Sequence, residues 1–232
     1  MNADELAPAW YILRSDRLLA KAVNLSHWPY TALHLSFVLI GAAAAPELSW
    51  KITGLMLLAF FLGMGIASHA LDLLAGDPLR LKISRRLLGN LAFASLSGAA
   101  AIGAYYVWSE RAWWFLPFIA SGVFVAVAYN LELFAGKFHS DFWFAFSWAA
   151  FPCLAGYSVN AGTWVPSPAV AGMAMVCYAL ARVQRALSIR ARYVRRSVGY
   201  ATGDLWAVEA GLAWLCLVGP VLALALILWR SP

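Results

Sequence analysis

Apolar residues occur in long runs along this chain, and short polar stretches separate the runs. A membrane-spanning helix needs about 20 mainly apolar residues to cross a hydrocarbon core of about 30 Å. The pattern predicts seven such helices, near residues 27–46, 50–74, 87–108, 112–133, 141–160, 165–185 and 204–229. The predicted fold class is therefore all-α, a polytopic membrane helix bundle.

The segment before the first predicted span mixes apolar and basic residues. Between residues 9 and 24, Arg14, Arg17 and Lys21 alternate with leucines and aromatic residues. Such a mixture is typical of an amphipathic helix that lies in the membrane interface. We therefore divide the chain into residues 1–26, a polar segment with an interfacial helix, and residues 27–232, a single membrane domain.

The composition supports this interpretation. Hydrophobic residues make up 63% of the chain and charged residues only 12%, whereas a soluble domain is about 25% charged. The net charge is +6, but the basic residues fall between the apolar runs. There they are explained by membrane orientation and by contact with lipid headgroups, so membrane lipids are predicted partners and nucleic acid is not.

The basic residues also predict an orientation. If the seven spans are correct, all 17 lysines and arginines except Lys51, Arg111 and Arg230 lie on one side of the membrane. The positive-inside rule puts that side and the N-terminus in the cytoplasm, and the C-terminus outside. We expect an integral protein of a bacterial or archaeal cytoplasmic membrane, with a pocket that opens between the helices on the cytoplasmic side.

A polar cluster follows the second predicted span. His69 and Asp72 are three residues apart, so a continuing helix puts them on one face. Gly76 and Pro78 break that helix and allow Asp77 to fold back toward Asp72. Carboxylates in this position suit Mg²⁺, which binds one or two carboxylates together with substrate phosphates. The alternative is a helix end with ordinary solvated charges.

A second cluster is basic and follows the sixth predicted span. If that helix continues, Arg182, Arg185, Arg192 and Arg196 fall on one face. Arginine is the residue best suited to bidentate phosphate contacts, so this stripe fits a diphosphate headgroup. The alternative is an orientation signal that also contacts anionic lipids. Because Arg182 and Arg185 lie deepest, they are the stronger candidates.

Three stretches resemble, in order and spacing, motifs of the UbiA superfamily of intramembrane prenyltransferases. Residues 69–78, His-Ala-Leu-Asp-Leu-Leu-Ala-Gly-Asp-Pro, are similar to its first aspartate-rich motif. Residues 129–137, Tyr-Asn-Leu-Glu-Leu-Phe-Ala-Gly-Lys, resemble the segment after its fourth helix that contains tyrosine and lysine. Residues 148–157, Trp-Ala-Ala-Phe-Pro-Cys-Leu-Ala-Gly-Tyr, resemble its fifth helix. The likeness extends over about residues 27–200.

The resemblance implies a helical bundle around a cavity open to lipid, and transfer of an isoprenyl group from its diphosphate to a lipophilic acceptor. It also implies Mg²⁺ as cofactor. Combining the resemblance with the two clusters, we predict Asp72 and Asp77 as metal ligands and Arg182, Arg185, Lys137 and Arg80 as diphosphate contacts. The predicted catalytic residues are Asp72, His69 and Glu132, with His69 or Glu132 taking the final proton.

The chain departs from the family pattern in several places, and two of them concern the aspartate-rich motifs. Ser68 and His69 stand where the first motif has Asn-Asp, and no acidic residue lies between Met173 and Gly203, where the second aspartate-rich motif belongs. Two alternatives therefore stay open. One is a non-catalytic membrane protein that binds a polyprenyl lipid, a quinone or a pigment, or that is a subunit of a membrane complex. The other is a terpene cyclase of the same superfamily.

Overall fold

The described part of the chain is a bundle of helices without a β-strand. The structure is a computed structural model, and it describes residues 9–15, 17–76, 81–196 and 202–230. Its helices are α1 (Leu18–Leu25), α2 (Trp28–Ala44), α3 (Trp50–Ala75), α4 (Arg85–Ser109), α5 (Trp113–Asn130), α6 (Asp141–Ala161), α7 (Pro168–Arg196) and α8 (Thr202–Arg230).

Five of these helices, α3, α4, α5, α6 and α8, are long and apolar enough to cross a membrane. Helix α2 is also apolar but has 17 residues, and α7 has 29 residues with a basic last turn. Each of the seven segments predicted to span the membrane forms a helix. The predicted all-helical membrane bundle is thus confirmed in its coarse form.

Local signals explain several helix ends. The hydroxyl groups of Ser49, Ser84 and Ser140 cap α3, α4 and α6 by accepting a hydrogen bond from a backbone N–H in the first turn. Helix α3 ends at Ala75 and Gly76 follows it, as the sequence predicts. Gly162 follows α6 in a left-handed conformation, with φ of 66°.

Helix α2 lies at the centre of the bundle and packs most extensively on α6 and α8. The backbones of α2 and α6 touch at two glycines. A Cβ atom added to Gly41 would overlap the carbonyl oxygen of Cys153, and one added to Gly156 would overlap that of Val38. Small residues allow this close approach, which is a common way to pack helices in membranes.

The N-terminal segment contains less helix than the sequence predicts. In the described part of this segment only Leu18–Leu25 is helical, and residues 9–15 form a turn followed by an irregular stretch. This irregular part is fixed by Asn24, whose side chain accepts from the backbone N–H of Leu13 at 2.9 Å and donates to its carbonyl at 3.0 Å. These two bonds and the burial of Tyr11 in the core hold the segment against the bundle.

Candidate functional site

An apolar chamber lies between α3, α4, α5 and α6. Its volume is about 340 Å³, at the low end of the range for small-molecule pockets. Methionine, alanine and glycine residues line it together with many aromatic rings, namely Phe60, Phe115, Phe118, Phe124, Trp143, Phe146, Trp148 and Phe151. The lining is therefore mainly apolar, which suits an apolar ligand.

Two π-helical stretches form part of the chamber wall. One is Phe61–Ser68 within α3, and the other is Phe146–Ala150 within α6. The Ser68 hydroxyl donates to the carbonyl oxygen of Gly63 at 3.0 Å, and both residues line the chamber. Because π-helical turns are rare and often occur at functional sites, their position on both sides of the chamber supports a binding role.

A charged cluster lies where α5 ends, α6 begins and α7 passes. The Nε of Arg185 donates to a carboxylate oxygen of Asp141 at 2.6 Å, and its Nη1 donates to the Tyr129 hydroxyl at 2.6 Å. Arg182 pairs with the other oxygen of Asp141 at 3.6 Å. The two arginines predicted to bind a diphosphate are therefore neighbours, and both are paired with one carboxylate.

The chamber and the charged cluster share a wall. The Trp148 ring lines the chamber, and its centroid lies 4.6 Å from the Tyr129 ring and 5.8 Å from the Phe144 ring. The Arg185 guanidinium lies over the Phe144 ring, 5.0 Å from its centroid. The rings of Trp148, Tyr129 and Phe144 therefore lie between the chamber and the arginines.

The predicted residues His69 and Asp72 both lie in the last turns of α3, directly after the chamber residue Ser68. Asp72 is exposed and lies within electrostatic range of Tyr129, His139 and Arg192. The carboxylate is thus at the same end of the bundle as the arginines, as the sequence predicts.

The His69 ring is partly buried and stacks on the His27 ring, with a centroid separation of 4.3 Å and an angle of 7° between the planes. The N-terminal end of α2 and the last turns of α3 therefore meet at these two rings.

Glu132 and Lys137 lie in the loop between α5 and α6, and both are exposed. In this loop Glu132, Phe134, Ala135 and Gly136 all have positive φ values, which is an unfavourable conformation for residues other than glycine. The Glu132 carboxylate lies 3.8 Å from Nδ1 of His139. The same nitrogen lies 3.0 Å from the carbonyl oxygen of Tyr129.

The predicted magnesium site lies partly outside the described residues, because Asp77 is in the gap 77–80. Arg80, predicted to contact the diphosphate, lies in the same gap. Within the ranges described, no three His, Cys, Asp or Glu side chains come close enough together to hold a metal ion. Mg²⁺ that is also bound by substrate phosphates needs only one or two protein carboxylates. Asp72 meets this smaller requirement, so the Mg²⁺ assignment stays a prediction.

Sequence reasoning missed two parts of the site. The contacts of Tyr11 with His27 and of His27 with His69 join residues that are far apart in the chain, and no spacing pattern indicates them. The hydrogen bond from Arg185 to Tyr129 also joins distant residues, although Tyr129 lies in a motif that the sequence singles out. Comparisons with family models, curated proteins and solved structures found no match to this chain.

Proposed function

We propose that this protein is a UbiA-like membrane prenyltransferase, which moves an isoprenyl group from its diphosphate to a lipophilic acceptor. The observation that carries the proposal is the aromatic-lined chamber that shares a wall with Arg185, Arg182 and Tyr129. In the proposed topology, seven spans cross a bacterial or archaeal cytoplasmic membrane. The N-terminus and the site face the cytoplasm, and the C-terminus lies outside.

In the proposed reaction, the bond between the allylic carbon and the diphosphate oxygen breaks, and the diphosphate leaves with the electron pair. Arg182 and Arg185 take part of its negative charge, with Lys137 and Arg80 as further contacts. Mg²⁺ held by Asp72 and Asp77 would neutralise more of that charge. The aromatic rings of the chamber stabilise the allylic cation and keep water away from it.

The acceptor then attacks the cation and loses a proton. Of the two proposed proton acceptors, His69 is the better placed, because it follows the chamber residue Ser68 and is partly buried. The side chain of Glu132 is 65% exposed and lies beside His139. A proton transferred to Glu132 would therefore have to leave the chamber first.

The test is pyrophosphate release by the purified protein with C10, C15 and C20 isoprenyl diphosphates, with Mg²⁺ or with EDTA. We expect release that requires Mg²⁺ and that falls at least about 100-fold in Asp72→Ala, because the leaving group loses its main electrostatic support. The matched control is Glu47→Ala, which removes an exposed carboxylate at the opposite end of the bundle. A fully active Asp72→Ala protein would contradict the role of Asp72.

One observation favours the non-catalytic alternative. Both arginines proposed to bind the diphosphate are already paired with Asp141, as expected if the chamber only holds a polyprenyl lipid, a quinone or a pigment. In that case no diphosphate releases pyrophosphate, even with a lipid extract as acceptor source, and a lipophilic molecule co-purifies with the protein. A cyclic product formed without any acceptor would instead identify a terpene cyclase.

A further inference from the structure

The N-terminal segment is connected to His69 of the candidate site through contacts between aromatic rings. Tyr11 is buried, and its hydroxyl lies 3.0 Å from Nδ1 of His27. Its ring also packs against the Tyr30 ring of α2 at 5.3 Å. The Tyr11 hydroxyl and the His27 ring are therefore held together inside the protein, although 16 positions separate them in the chain.

His27 also contacts His69 of α3. It precedes α2 in a left-handed conformation, with φ of 45°, which is uncommon for a residue other than glycine. Its ring lies parallel to the His69 ring at 4.3 Å, so one face of His69 is covered by a flat neighbour. Tyr11 on one side and His69 on the other thus fix the position of the His27 ring.

Charged and titratable groups surround the stacked pair. Arg192 of α7 lies within electrostatic range of His27. His34 of α2 lies within electrostatic range of His69, and Asp72 follows His69 by one turn of α3. Arg192 and Arg195 also lie within electrostatic range of the Tyr11 hydroxyl.

We infer that His27, oriented by Tyr11, is a positioning residue that sets the plane of the His69 imidazole, one position beyond the chamber residue Ser68. This inference rests on the proposed function, in which His69 takes the proton that the acceptor loses. The N-terminal segment would then contribute to the candidate site. Neither Tyr11 nor His27 touches the substrate, and both act through His69.

The kinetic test compares His27→Ala, His27→Phe and Tyr11→Phe, with Tyr105→Phe as the matched control on an exposed tyrosine. We expect His27→Ala to lower kcat at least about tenfold and to leave KM for the diphosphate within about twofold, because the base is misplaced while the binding residues are intact. His27→Phe keeps a flat ring and should recover most of kcat.

A second test does not depend on activity. The chain has four histidines, so their ring signals can be assigned by NMR in protein labelled at histidine. We expect the His69 signals to shift in Tyr11→Phe and in His27→Phe, and to stay in place in Tyr105→Phe. If His27→Ala does not fold, Tyr11→Phe provides the same test with the loss of a single hydroxyl group.

The kinetic test and the NMR test distinguish a failure of the proposed function from a failure of the positioning role. If the wild-type protein releases no pyrophosphate, the proposed function fails, and the NMR signals still decide whether His27 sets the state of His69. If kcat and the His69 signals are unchanged in His27→Ala and in Tyr11→Phe, the positioning role is wrong. In that case the stacked rings only pack the N-terminal segment.

Discussion

Gly41→Ala and Gly156→Ala are each expected to destabilise the protein strongly. At both positions a Cβ atom would overlap a backbone carbonyl oxygen of the facing helix, and no side-chain rotation can relieve that overlap. Helices α2 and α6 would have to move apart, and overpacking of this kind costs about 1–3 kcal/mol and sometimes more. We expect at least about 3 kcal/mol, measured as the free energy of unfolding in detergent.

The matched controls are Gly54→Ala in α3 and Gly172→Ala in α7. No atom lies within 4 Å of a Cβ added at either position. Because alanine favours a helix over glycine by about 0.5–1 kcal/mol, each control should be neutral or slightly stabilising. If all four variants behave alike, the contact between α2 and α6, and with it the centre of the bundle, is wrong.

Arg185→Ala is expected to lower the rate of pyrophosphate release at least about 100-fold. The reason is that one guanidinium joins Asp141, Tyr129 and the face of Phe144, and in the proposed reaction it also stabilises the departing diphosphate. Arg185→Lys keeps the charge but cannot hold both oxygen atoms in the same fork geometry, so it should restore only part of the rate. The measurement is kcat/KM for the diphosphate.

Two further variants make this result specific. Arg190→Gln removes an exposed arginine that lies over the Tyr193 ring on the same helix, and we expect it to change the rate less than about twofold. Tyr129→Phe removes one acceptor of Arg185 and should have an intermediate effect. If Arg185→Ala keeps half of the wild-type rate, this arginine does not serve the leaving group.

The helices were predictable because each depends on a local signal. An apolar run of about 20 residues defines a spanning helix wherever it occurs, and Gly76 marks the end of α3 in the sequence as it does in the structure. The continuation of α7 to Arg196 follows from a sequence without glycine or proline after Gly172. These features place Arg182, Arg185, His69 and Asp72 at one end of the bundle.

The contacts between these residues could not be predicted in the same way. The pairing of Asp141 with Arg185 depends on how α6 and α7 pack, and the stacking of His27 on His69 depends on the packing of α2 against α3. The π-helical stretches are also invisible in the sequence, because an extra residue in a turn leaves the apolar character of the run unchanged. Residues 9–15 resembled an amphipathic helix by composition, but Tyr11 and Asn24 hold them in an irregular conformation.

The central claim is that an isoprenyl chain lies in the chamber with its diphosphate at Arg182 and Arg185. The most direct test uses a C15 diphosphate analogue with a photoreactive diazirine at the end of the chain, followed by mass spectrometry of the labelled protein. We predict labels on chamber residues such as Phe118 and Phe151, competed by unlabelled C15 diphosphate and reduced in Arg185→Ala. Labels confined to exposed residues such as Trp214 of α8, without competition, would contradict the claim.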